Sequence, residues 1–111
     1  MIKTIAFIKR KPALTREEFA RHYEEVHAPL AARTFPTIKK YVRNHIIQAL
    51  DGPDPDFDCI SEFWFEDQAG IESLYEIWGS DAGKAVREDE ESFIDSANTR
   101  AFVVDERVSD L

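Results

Sequence analysis

An α+β fold with the element order β-α-β-β-α-β is predicted by three observations. Four apolar runs of strand length, at residues 2–9, 39–50, 59–66 and 99–108, are separated by stretches whose apolar residues recur at three and four. Helix-start residues, Thr15 and Asp67, stand just before the two helical stretches. The acidic, proline-broken segment DGPDPDFD at residues 51–58 divides the second strand from the third.

The first run, IKTIAFIK, carries Ile5 and Phe7 on one alternating face and Ile2, Ala6 and Ile8 on the other, so it is a strand covered on both sides. After the loop RKPAL, Thr15 with Glu18 three residues later forms a capping box that opens the first helix. Phe19, Tyr23, Val26 and Leu30 then make one narrow stripe to be buried. Pro29 disfavours a helical Ala28, so the helix is expected to kink or end there and restart through AARTF.

The second strand is expected to be long, with Tyr41, Arg43, His45, Ile47 and Ala49 on one face and Val42, Asn44 and Ile46 on the other. CISEFWFE follows as the third strand, setting Cys59, Ser61, Phe63 and Phe65 against Ile60, Glu62 and Trp64. Asp67 caps a helix through Ile71, Leu74, Tyr75 and Trp78, and Ser80 caps a further one to about Asp95. In that last helix Ala82, Ala85, Val86 and Phe93 are expected to be buried and REDEE solvated. This order matches the split βαβ, or ferredoxin-like, unit, a four-stranded antiparallel sheet with helices on one face. Parity puts Ile2, Ile8, Val42, Ile46, Ile60 and Trp64 on the other face, an apolar surface that predicts a two-fold homodimer through the sheets.

At 111 residues the chain is one domain, residues 1–111. Fourteen basic against 22 acidic residues give a net charge of -8, which argues against nucleic acid and against anionic membrane surfaces. The single Cys59 excludes an internal disulfide, and no basic region followed by an apolar run opens the chain, so a cytoplasmic location without a signal peptide is expected. No apolar run reaches the roughly 20 residues that span a bilayer.

All three histidines lie between Phe19 and His45. His27 sits at the edge of the helix stripe, one turn after Tyr23, near the last regular turn, where free carbonyls can stabilise an imidazolium. An imidazole titrating near neutral pH is suited to acid/base work; the alternative is a helix-edge histidine bonded to a carbonyl. His22 lies about 140° away around the same helix and is expected not to share a site with His27. Tyr41 and His45 are candidates to bind a phenolate or enolate oxygen, with Arg43 on their face. Tyr23, Ser61, Phe63, Phe65 and Trp78 are candidate walls of a helix-sheet pocket for a small molecule. With the histidines split between two helix edges and a strand, no metal, haem or other cofactor is expected.

The segments FIKRKPALTREEFARHYEEVHAPL, KKYVRNH, DCISEFWFED and REDEESFID, in that order over roughly residues 1–107, resemble the EthD-like family of dimeric α+β barrels. That resemblance implies paired ferredoxin-like subunits, each with a pocket used for cofactor-independent chemistry on small cyclic or polyketide-like compounds. Related barrels include lactone isomerases, polyketide cyclases and decarboxylases, monooxygenases and haem-binding enzymes. His27 falls where a family isomerase places its helix histidine, and Tyr41 where it places a strand tyrosine. The accompanying third-strand cysteine corresponds here to Phe63, which argues against that isomerase's own reaction and against a thiol nucleophile. The expectation is a cofactor-free lyase, cyclase or isomerase acting on a small aromatic, lactone or polyketide-like compound. A cofactor-independent monooxygenase, and a non-catalytic or stress-associated binding protein, are the alternatives.

Overall fold

The computed structural model describes all 111 residues. Strands β1 (Ile2–Ile8), β2 (Lys40–His45), β3 (Cys59–Phe65) and β4 (Arg100–Val104) form one sheet in the order β2-β3-β1-β4, every neighbouring pair antiparallel. This is the ferredoxin-like βαββαβ topology. On one face lie α1 (Arg16–His22), a π-helical turn (Tyr23–His27) and α2 (Ala28–Thr34), which run on without a break, together with α3 (Gln68–Trp78) and α4 (Lys84–Phe93).

Local chemistry sets the helix starts. The capping box forms as read: Glu18 N–H donates to Thr15 Oγ1 at 3.1 Å and Thr15 N–H donates to Glu18 Oε1 at 2.9 Å. Asp67 accepts from Gly70 N–H at 3.1 Å and opens α3. Ser80 makes no such bond with its side chain; a 3₁₀ turn, Asp81–Gly83, intervenes before α4, and Ala82 and Ala85 face outward while Val86 and Phe93 are buried.

The π-helical turn is where the first helix departs from its expected geometry. In an α-helix the Pro29 ring would press on the carbonyl of Glu25. Here Ala28 N–H instead reaches back five residues to Tyr23 O, and Ala28 keeps helical angles before the proline. One extra residue in the turn shifts the inward stripe. Phe19 and Tyr23 are buried as expected, but His27, Ala28 and Ala31 follow them inward and Val26 is left outside.

Strand β2 ends at His45 rather than near Leu50, because Asp58 N–H and O close the sheet against Ile8 and Ile46 and the chain then leaves it; Ile47 and Leu50 are almost fully exposed. The parity expected for β1 is reversed. Ile8 pairs with Cys59, Ala6 with Ser61 and Ile2 with Phe65, so Ile2, Ala6 and Ile8 lie on the helix side, while Ile5 and Phe7 join Val42, Ile60, Trp64 and Phe102 on the open face. Both faces of β1 are apolar, so its sequence alone does not distinguish them. Asp58, the last residue of the acidic segment between the second and third strands, is buried and accepts from Arg10 N–H, Arg10 Nε and Arg16 Nε at 2.9 to 3.1 Å.

The close approach of α3 to α4 depends on Gly83. A Cβ there would stand 2.6 Å from Trp78 Cα and meet the Ile77 carbonyl as well, all of it backbone that cannot yield. Gly83→Ala is therefore expected to destabilise the fold by about 1 to 3 kcal/mol, the usual cost of overpacking. Chemical denaturation would measure it, and an unchanged midpoint would show that the turn relaxes freely.

Candidate active site

Between the helices and the sheet lies a cavity of about 190 Å³, predominantly apolar in its lining. Ile71, Leu74, Tyr75 and Trp78 contribute the α3 wall, Phe63 and Phe65 the floor, and Ala31 and Phe35 the far side. Tyr75 and Trp78, the two exposed aromatics of the lining, form its rim. Polar side chains among its lining are those of Thr4, Tyr23, His27, Tyr41, Glu90 and Thr99, of which Tyr23, His27, Tyr41 and Glu90 carry titratable groups.

His27 is only 5% exposed, and both ring nitrogens face carboxyl groups of α4. Nδ1 lies 2.9 Å from Asp89 Oδ2, whereas Nε2 is 3.9 Å from Glu90 Oε2, too far for a hydrogen bond. Since a carboxylate only accepts, Nδ1 carries the proton and the neutral ring leaves the Nε2 lone pair free towards the cavity. Burial lowers the His27 pKa below its ordinary value, opposed by the hydrogen bond and charge of Asp89. Glu90 moves the other way: burial raises its carboxyl, with only partial relief from Trp78 Nε1–H, which donates to Oε1 at 2.8 Å.

A chain of hydroxyls runs from the cavity lining into the sheet. Tyr41 Oη is 2.6 Å from Tyr23 Oη, which is 2.7 Å from Ser61 Oγ, with Cys59 Sγ 3.6 Å beyond. Burial pushes both phenols well above their ordinary range and the Cys59 thiol up to about 11. Near neutral pH this chain is therefore a set of neutral donors and acceptors, and Cys59 is no thiolate nucleophile.

Of the residues singled out from the sequence, Tyr23, His27, Tyr41, Phe63, Phe65 and Trp78 come together around the cavity. Ser61 sits behind Tyr23, fully buried. Arg43 and His45 do not line the cavity, because Glu24 of the π-helical turn takes them both. Arg43 Nη2 donates to Glu24 Oε1 at 2.7 Å, Nε to Oε2 at 3.0 Å, and His45 Nε2 lies 2.7 Å from Oε2. The Arg43 hydrogen bonds hold the Glu24 carboxyl down at about 2.

The expectation that His22 stands apart from His27 is overturned. His22 Nε2 lies 2.8 Å from Asp89 Oδ1, the second oxygen of the carboxylate that holds His27. Five residues span about 140° in an α-helix, but the wider turn between them brings the two rings to one side. Asp89 and Glu90 were read as solvated surface. A signal for them exists: with Val86 and Phe93 they occupy the 3/4 spacing of the buried stripe of α4. No three His, Cys, Asp or Glu side chains converge as metal ligands.

The EthD domain model matches residues 11–97. None of the curated proteins matches the chain in sequence. An ethyl tert-butyl ether D (EthD) family protein from Bacillus halodurans superposes with a TM-score of 0.68 at 24% identity, covering 96% of this chain and 100% of that one. A dimeric ferredoxin-like protein of unknown function from Thermobifida fusca gives 0.63 at 14% identity, over 93% and 88%. SnoaB, a cofactor-independent oxygenase from Streptomyces nogalater, gives 0.61 at 12% identity, over 97% and 94%.

Burial and Asp89 oppose one another at His27, which makes its titration a direct test. Burial prevails, so the ring is expected to titrate below its ordinary 6.5 in an NMR titration. Because the folded value is lowered, the associated stability is fully present above the ordinary value and is lost as pH falls through the folded one. Asp89→Asn should lower the His27 value further by removing a charge that favours the imidazolium. Titration of the native ring above the ordinary value would mean that Asp89 outweighs burial.

Proposed function

This chain belongs to the EthD domain family, and from that premise we propose that its cavity is the active site of a cofactor-independent lyase, cyclase or isomerase. The observation that carries the reading is a buried histidine whose Nδ1 is held by Asp89 and which lines an apolar cavity together with the Tyr41 phenol and Glu90. His27 takes a proton from a carbon next to a carbonyl, or from a phenol, at Nε2. Tyr41 donates to the oxygen on which negative charge grows, where a fixed donor in a dry site is worth most. Glu90, kept towards its protonated form by burial, stands beside Nε2 and can return a proton, so an isomerisation closes with no net change in protons.

Size narrows the substrate. An apolar cavity of about 150 Å³ takes one benzene ring, so about 190 Å³ suits a single substituted ring, aromatic or lactone, with any tail leaving past Tyr75 and Trp78. The likeness to SnoaB, described as a cofactor-independent oxygenase, favours a second reading. The same base would ionise a bound phenol to an electron-rich phenolate, and dioxygen would be the oxidant.

A homodimer is part of the proposal. Ile5, Phe7, Val42, Ile60, Trp64 and Phe102 share the open sheet face, and a second copy seated there would bury them. A relative described as a dimeric ferredoxin-like protein supports this. Sedimentation should give a dimer at micromolar concentration, weakened in Trp64→Glu; a folded monomer would refute it.

Turnover of one-ring lactones, enolisable ketones and phenols, with and without oxygen, tests the chemistry. Oxygen-independent turnover supports the first reading, oxygen dependence the second, and saturable binding without turnover would make the cavity a binding site only. His27→Ala is expected to lower turnover by on the order of 10² to 10⁴-fold. Its cost in stability should be about 1 to 2 kcal/mol.

A further inference from the structure

Asp89 is shared in a way that the proposed base alone does not require. Its carboxylate makes two hydrogen bonds, one to each imidazole, at 2.8 Å to His22 and 2.9 Å to His27. The three side chains step outward from the cavity: 6% exposed for His27, 14% for Asp89 and 31% for His22. Phe93 packs between the rings, its centroid 4.9 Å from that of His27 and 4.7 Å from that of His22, so both imidazoles lean on one aromatic wall. Asp89 is on α4, His22 precedes the π-helical turn and His27 ends it, so α4 and the first helical segment are clasped through one carboxylate.

We propose that His22 is a positioning residue for His27, acting through Asp89. By donating Nε2–H to Oδ1 it keeps the carboxylate turned so that Oδ2 accepts His27 Nδ1–H, and this holds His27 in the tautomer whose bare Nε2 faces the cavity. A mid-helix aspartate with one oxygen unheld can rotate towards water, and the neutral ring is then free to carry its proton on either nitrogen. The inference rests on the reading of His27 as the base. It assigns a role to a partly exposed residue outside the cavity lining.

A merely structural clasp between helices would leave the His27 tautomer alone, so the tautomer is the test. Long-range nitrogen-proton NMR of the imidazoles, at a pH where the ring is neutral, should show His27 as the Nδ1–H form in the native protein. In His22→Ala a mixture with the Nε2–H form is expected, and His22→Gln, which restores an N–H donor, should recover the native form. His22→Leu keeps packing against Phe93 without a donor and serves if the alanine variant fails to fold. An unchanged tautomer in the folded donor-less variants would overturn the proposal. With a substrate in hand, their kcat should fall by roughly 10-fold, the lower end of the losses seen when an outer partner of a metal-bound histidine is removed, with KM little changed. If no compound turns over yet the tautomer shifts, the function reading fails and the positioning role stands. If turnover needs His27 but the tautomer does not move, only the positioning role fails.

Discussion

Pro29 cannot donate a backbone hydrogen bond and cannot sit in an unadapted α-helix without a cost of about 3 kcal/mol. The chain meets that constraint by widening the preceding turn, and the arrangement around the cavity follows from it. Tyr23 points into the core, Glu24 turns to β2, and His27 moves inward into line with His22. Hydrogen bonds to charged groups contribute roughly 1.5 to 3 kcal/mol each. The two on the mostly buried Asp89 are therefore of a size to hold an irregular turn in place, and the exposed Arg43 fork on Glu24 adds about 1 kcal/mol at most.

Burial and pairing compete at Glu24, His27 and Glu90, and depth decides which prevails. Glu24 keeps two-fifths of its side chain exposed and has a guanidinium beside it, so pairing prevails and it stays ionised to about 2. His27 is almost wholly enclosed, so burial prevails even with a carboxylate at hydrogen-bond distance. At Glu90 burial outweighs the indole N–H of Trp78 and the weaker pull of the Arg87 charge, so its carboxyl rises. The groups facing the cavity are thereby biased to their neutral forms, which lets an apolar wall and acid/base groups coexist without isolated buried charges.

Much of the fold was legible because its signals are local. Strand alternation, the Thr15 box and the Asp67 cap each act within a few residues, and their order suffices for the topology. The face of β1 was not legible, since Ile5 and Phe7 are as apolar as Ile2 and Ile8 and only pairing with β3 separates them. In the candidate site His27 and Tyr41 could be read from residue type and spacing. The capture of Arg43 and His45 by Glu24 could not, because that competition is settled by tertiary distance. His22 was misplaced for a third reason: an α-helical period was applied across a turn that is not α-helical.

The two sides of the cavity differ in how firmly their polarity is fixed. Along Cys59, Ser61, Tyr23 and Tyr41 every hydroxyl can donate or accept, so the chain can run in either direction. An incoming carbonyl oxygen draws the hydrogens towards the cavity, leaving the weak thiol donor as the far end. A bound hydroxyl donor reverses them. The His27 side has no such freedom, because Asp89 only accepts and fixes the proton on Nδ1. On the proposed reading, Nε2 is therefore the group that orients the substrate. A compound must present an acidic hydrogen there, and the hydroxyl chain then adapts to whatever oxygen lies across the ring.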